Sequence, residues 1–268
     1  MTAALFVFTI LAGALLPALF WLTFFFREET HRESSRLMTY VFGAGALVSL
    51  PILGLQMGFQ ELAGIAVPSA VIIIILALIE EALKFAAGFA TAHRDPALHE
   101  PIDAMMVMVV ASLGFATVEN LFIIGTTLTD LSVVSLGGTA ETLALRTIGA
   151  TLLHTLVSAS VGYAWARGRI GAMRAGIDSQ AFAENTPRHE LWKDFVRPLR
   201  RWVLGGIVFA TAAHAAFNLL VLAFQKEHLF YPTIFLILVA GVVFRDFESL
   251  KPLPQEISSS KLQISNKL

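Results

Sequence analysis

A chain of 268 residues with 56% hydrophobic residues, 15% charged residues, a net charge of −1 and a mean hydropathy of +0.71 is far more apolar than a soluble domain, where about 45–50% of residues are apolar and about 25% charged. It reads as an integral membrane protein, and disorder, a secreted disulfide scaffold and a nucleic-acid-binding domain are excluded. The absence of Cys removes thiol nucleophiles, thiolate zinc sites and iron–sulfur clusters as well.

A helix needs about 20 apolar residues to cross the hydrocarbon core. Seven stretches offer them: 3–26, 37–58, 66–90, 102–125, 143–166, 202–224 and 229–247. Each is apolar all round rather than alternating, which argues against strands and barrels. The predicted fold is all-α, a polytopic transmembrane helical bundle of about seven spans. A single transmembrane domain covers 1–248, with the polar motifs between about 66 and 224, and a flexible cytoplasmic tail covers 249–268. The first span has no positive region before it and is followed by Arg27, so it reads as a retained anchor.

Orientation follows from Lys and Arg in the connections. Connections 27–36, 91–101 and 167–201 hold three, one and eight, and the end of the chain from Arg245 holds four. The intervening connections 59–65 and 126–142 hold none, and Lys226 stands alone before the last span. The N-terminus is therefore expected outside and the C-terminus in the cytoplasm. Segment 189–201 (HELWKDFVRPLRR) reads as an inside-positive loop, with a helix lying on anionic lipid as the alternative.

The informative residues are polar ones inside the spans. Span three carries Glu80, Glu81 and Lys84, span four Glu119 and Asn120, span five His154, and span six His214 and Asn218. A charged group at the centre of a membrane helix costs about 2.5–3.5 kcal/mol on insertion scales, so these groups must face one another or a wet cavity. Glu80 and Lys84, Phe115 and Glu119, and His214 and Asn218 are each four apart and share a helix face, and Gly114 beside Phe115 lets another backbone approach closely. By residue count all lie between the middle and the outer half of the bilayer, where one pocket can collect them. With neutral histidines that pocket has a formal charge of −2 from three glutamates and one lysine. It must bind protons, charge its histidines or hold a divalent cation. Taken singly, Asn120 and Asn218 are also explained by interhelical hydrogen bonds, Lys84 by neutralising a glutamate, Arg146 by snorkelling and Asp103 as a boundary residue. Three glutamates and two histidines on four helices are not explained by packing.

A hydrolase, an ion- or proton-coupled transporter and a receptor can each use such a pocket. A retinal receptor needs a Lys in its last span, and 229–247 has none. Alternating-access transport favours paired repeats and broken helices, and neither is visible. A hydrolase needs a base for water, donors for the oxyanion and exclusion of bulk water, and Glu, His and Asn supply them. The GxSG, GxGD and HExxH motifs are all absent, so proteolysis here runs on glutamate.

Glu80–Glu81–Ala–Leu–Lys84 resembles the EExxK motif of the PrsW family of intramembrane proteases. The stretch from Asp103 to Asn120, ending GFATVEN, is similar to that family's GFAxxEN segment. Arg146, His154 and Gly162–Tyr163 resemble its third block and His214xxxAsn218 its last. The resemblance covers about 78–220, and its four blocks come in the family's order. PrsW proteins are similar to the wider CAAX-protease and bacteriocin-processing superfamily, whose EExxxR and FxxxH motifs differ here. The basic residue is Lys84, one position early, and Glu119 takes the His place after Phe115. The resemblance implies a glutamate-rich site in the plasma (inner) membrane of a prokaryote. It also implies a membrane-anchored substrate such as an anti-sigma factor, cut on the outer side.

The expected activity is thus an intramembrane endopeptidase acting on single-span membrane proteins in the lipid bilayer. Glu80, helped by Glu119 or His154, deprotonates a water. His214 and Asn218 donate to the oxyanion, and Lys84 with Glu81 orients Glu80; Phe115 and Asn120 support the set. The rival is a zinc enzyme with His154, His214, Glu80 and Glu119 as ligands. No cofactor is certain from the sequence, no nucleic acid is expected, and the oligomeric state is not set. A proton-coupled transporter or membrane scaffold is the non-enzyme alternative.

Overall fold

The computed structural model describes residues 3–28, 34–62, 69–93, 95, 98, 100–129, 149–174, 196–224 and 230–251. All regular structure among them is helical: α1 (Ala3–Glu28), α2 (Ser35–Leu62), α3 (Ser69–Ala92), α4 (Pro101–Thr129), α5 (Thr151–Arg174), α6 (Val196–Phe224) and α7 (Phe230–Leu250). Helices α1, α2, α4, α6 and α7 are long and apolar enough to cross a membrane. Helices α3 and α5 have 24 residues each, but α3 holds Glu80, Glu81 and Lys84, and α5 is rich in Ser, Thr and Arg.

Local sequence explains the elements. Pro101 occupies the first turn of α4, where its missing N–H costs nothing. Asp103 Oδ2 accepts the Glu100 N–H in the manner of a capping box, so this residue is a helix cap, as its boundary position suggested. Hydroxyls inside the helices bond back one turn, as Thr117 does to Leu113 O, Thr155 to Thr151 O and Ser160 to Leu156 O. Each therefore needs no partner from lipid.

Helix α4 is the hub. It packs against α1, α2, α3, α5 and α7, and every residue from Pro101 to Thr117 is buried. Glycines set the closest crossings. A Cβ on Gly45 would run into the Ala111 carbonyl and one on Gly114 into the Phe42 carbonyl, so α2 and α4 touch backbone to backbone. A Cβ on Gly162 would lie 2.6 Å from Ala104 O, so α5 also comes close to α4, though less so than α2. Such small-residue contacts are how helices associate in lipid.

The radial order is the reverse of a soluble protein. Phe8, Leu16, Val208, Ile237 and Leu238 are each more than 60% exposed, whereas Glu80, Glu81, Lys84, Glu119, His154 and His214 are buried. Large apolar surface facing outward and charge facing inward is the arrangement a bilayer stabilises.

The fifth and sixth helices depart from the predicted bounds. The helix expected over 143–166 is described over Thr151–Arg174. Its last turns hold because the Arg167 guanidinium lies over the Tyr163 and Trp202 rings and Arg169 Nη2 donates to Leu98 O at 3.0 Å. Helix α6 begins at Val196 rather than 202, so Val196–Arg201 of the basic segment prolongs a span. Arg146, residues 189–195 and the tail from 252 lie outside the described residues.

Candidate active site

The buried stripe of α3 is Ile72, Ala77, Glu80, Glu81, Lys84, Ala87, Gly88 and Ala92, a helical face that sends two carboxylates and an ammonium into the bundle. Helix α4 brings Phe115, Glu119 and Asn120, α5 brings Thr151, His154 and Ser158, and α6 brings His214. The sequence reading anticipated that convergence for Glu80, Glu81, Lys84, Phe115, Glu119, His154 and His214, and all seven meet in one buried cluster.

Lys84 Nζ donates to Glu81 Oε1, three residues away, rather than to Glu80 four residues away. It also lies 3.0 Å from His154 Nδ1 and 5.0 Å from the centre of the Phe115 ring. An ammonium has no acceptor, so His154 Nδ1 accepts and its hydrogen sits on Nε2. That nitrogen faces Glu119 Oε2 at 2.8 Å. His214 Nδ1 lies 2.8 Å from Glu81 Oε1 and donates to that carboxylate, which leaves the Nε2 lone pair facing Glu80 Oε2 at 3.7 Å. Each imidazole is thus backed by its own carboxylate, which fixes its tautomer and ring orientation. The two rings stand edge to face, centroids 4.9 Å apart.

Two polar residues that the sequence reading passed over complete the set. Gln56 Nε2 on α2 donates to Glu80 Oε1 at 2.9 Å, and Ser158 Oγ lies 3.4 Å from Glu81 Oε2. Their only signal was an amide in an otherwise ordinary apolar span and a serine one helical turn after His154. Asn120 donates to Thr151 Oγ1 at 2.9 Å and so joins α4 to α5 beside the cluster. Asn218 is half-buried one turn beyond His214 and makes no hydrogen bond to the cluster among the described residues.

Four buried side-chain atoms among the described residues have no hydrogen-bond partner, Asn120 Oδ1, Arg169 Nη1, Thr211 Oγ1 and, inside the cluster, the carboxylate atom Glu80 Oε2, although such a group costs several kcal/mol when left bare in lipid, by order of magnitude. His214 Nε2, 3.7 Å from Glu80 Oε2, also presents a lone pair. Glu80, His154 and His214 each offer one ligand atom within 4.8 Å of the others. Two atoms on one tetrahedral Zn²⁺, each about 2.0–2.2 Å away, lie about 3.3–3.6 Å apart, and the 3.7 Å between Glu80 Oε2 and His214 Nε2 is within a small side-chain adjustment of that. The donor set therefore fits a divalent cation, whose charge would cancel that of the cluster. Of the four ligands suggested by the sequence, Glu119 bonds His154 Nε2, and His154 would have to release Lys84 from Nδ1 to offer that lone pair to a metal.

Residues 33–244 match the PrsW family intramembrane metalloproteases. The chain belongs to the PrsW family. It is 29% identical to Protease PrsW of Shouchella clausii (strain KSM-K16) over 156 residues, which cover 58% of this chain and 67% of that one. It is 24% identical to Protease PrsW of Geobacillus kaustophilus (strain HTA426) over 193 residues, 72% of this chain and 76% of that one. No solved structure matches it. Membership in the PrsW family makes the chain an intramembrane protease, a multi-pass membrane protein acting on membrane proteins in the bilayer. The transporter and scaffold alternatives fall away.

Proposed function

We propose that this chain hydrolyses peptide bonds of single-span membrane proteins at the cluster around Glu80, with Zn²⁺ held by Glu80, His154 and His214. The observation that carries the reading is the pair of facing lone-pair atoms, the unpartnered Glu80 Oε2 and His214 Nε2, beside a second imidazole. Bound there, the metal would lower the pKa of its water to about 7 and polarise the scissile carbonyl. The protein's own groups do the rest. Gln56 pins Glu80 Oε1 so that Oε2 stays aimed into the cluster, and Glu81 holds His214 in the tautomer that presents Nε2. Lys84 pairs with Glu81 and holds its carboxylate in place. Glu119 takes the proton of the attacking water and returns it to the leaving amine as the C–N bond breaks. Asn218, uncommitted to the cluster, donates to the carbonyl oxygen as it gains charge. The substrate class that the family resemblance implies is a regulatory membrane-anchored protein such as an anti-sigma factor, in the plasma membrane of a prokaryote.

A metal-free version has its own support. Both His154 nitrogens are already engaged, by Lys84 and Glu119, so Glu80 Oε2 can act directly as the base for water. Metal content and cleavage, measured together, separate the two. The zinc reading expects about one Zn²⁺ per purified chain, its loss in His214→Ala, and its retention in an inactive Glu119→Gln. Undiminished cleavage by metal-stripped wild type would hand the reaction to Glu80 alone.

A further inference from the structure

Helices α5, α6 and α7 enclose a second cavity, a groove of about 450 Å³ whose walls include Tyr163, Arg201, Trp202, Gly205, Val242 and Asp246. Its charged end lies away from the cluster, since Arg201 is 13 residues before His214, about 20 Å along α6 at 1.5 Å per residue, while its apolar end reaches Phe209 and Ser160. Arg201 is near the start of α6 and Asp246 near the end of α7, so the groove opens at one end of the bundle, at interface depth.

Its chemistry is specific. The body is apolar and faces outward: Trp202 is 45%, Phe209 42% and Val242 46% exposed. Its floor at Gly205 is bare, and a Cβ there would meet nothing within 4 Å. The two charges in the lining, Arg201 and Asp246, form no ion pair with each other. A second guanidinium, Arg167, lies 5.6 Å from the Trp202 ring and 6.0 Å from the Tyr163 ring, at the same rim. Trp and Tyr are residues of the membrane–water interface, and basic pockets between membrane helices take phospholipid head groups.

We propose that this groove binds a glycerophospholipid with a phosphoethanolamine head. Arg201, with Arg167 beside it, takes the phosphate through charge-assisted hydrogen bonds. Asp246 takes the ammonium, and an acyl chain lies over Gly205 against Phe209 and Val242. The head of the trough sets guanidiniums beside one carboxylate, Asp246, on which Arg245 and Arg167 also act; a phosphate and an ammonium each meet an opposite charge there, whereas a purely anionic head leaves the carboxylate unmatched. Phosphatidylcholine carries the same charges, but its trimethylammonium has no N–H to give Asp246.

The test uses full-length protein stripped of lipid in detergent and titrated with phosphatidylethanolamine, phosphatidylglycerol or phosphatidylcholine, read by native mass spectrometry and thermal shift. Phosphatidylethanolamine is expected to bind tightest. Arg201→Ala should weaken both it and phosphatidylglycerol about tenfold or more, whereas Asp246→Asn should erase only the preference between them. Gly205→Leu, whose side chain enters open space, should abolish binding of all three and leave the lipid-free melting temperature unchanged. Equal or tighter binding of phosphatidylglycerol or phosphatidylcholine would overturn the head-group assignment. Full binding by Gly205→Leu, or a groove that takes no lipid, would overturn the site.

Discussion

Lys84 is the residue on which the cluster's protonation pattern turns. Its ammonium, fully buried, bonds to Glu81 and is accepted by His154, so it fixes one imidazole tautomer directly and, through Glu81, the other. Removing one partner of a buried ion pair costs about 3–5 kcal/mol, whereas replacing both with apolar groups is often neutral. Lys84→Met is therefore expected to destabilise the protein by about that amount, and Glu81→Gln/Lys84→Met to recover most of it without recovering cleavage. Thermal unfolding in micelles closes the cycle, and a double variant no better than the single one would contradict the pairing. Gln56 makes a gentler case. It holds Glu80 from outside the cluster, as partners one shell out do, and their loss typically costs 10–100-fold in activity or metal affinity. Gln56→Leu should lower kcat about tenfold with the melting temperature little changed; an unaltered kcat would make the contact incidental.

At the scale of elements, the sequence revealed the helices through their apolar lengths and the cluster through charges that lipid will not tolerate. The residues Glu80, Glu81, Glu119, His154 and His214 were legible for that reason alone. Gln56 was not, because a single amide in a span is inexpensive and has no i,i+4 partner to mark it. Nor was the choice of Glu81 over Glu80 by Lys84, because both lie within one turn and only the packing of α3 on α5 and α6 decides between them. The end of α5 was misjudged because Arg167 and Arg169 resemble a loop by composition, yet they stay in the helix by stacking on rings and by bonding a carbonyl. Gly114 marked a close backbone approach in the sequence, and the structure places α2 there; its counterpart Gly45 was silent, because hydropathy gives a lone glycine no weight. Gly114→Ala places a methyl group against the Phe42 carbonyl and should cost about 1–3 kcal/mol by overpacking. Gly43→Ala, on α2 where a Cβ meets nothing within 4 Å, should be neutral or stabilising by up to about 1 kcal/mol. Equal melting temperatures for the two variants would show that the crossing is looser than described.

For the whole molecule, the distribution of Lys and Arg makes a prediction that the chain's lack of Cys renders easy to check. Any cysteine introduced is the only thiol present. Ser259→Cys should react with an impermeant maleimide only after the membrane is opened, and Thr2→Cys in intact cells; the reverse pattern would invert the orientation. The described helices bury charge and expose hydrocarbon, so bulk water is kept from the cluster and the reacting water must be admitted to it. Its members are also scattered along the chain. During synthesis Glu80, Glu81 and Lys84 leave the ribosome first, then Glu119, then His154, and His214 only with the sixth helix. A nascent chain still threading into the membrane, crowded by other unfolded proteins, therefore holds no complete cluster, and the order of synthesis itself guards its neighbours until insertion is almost finished.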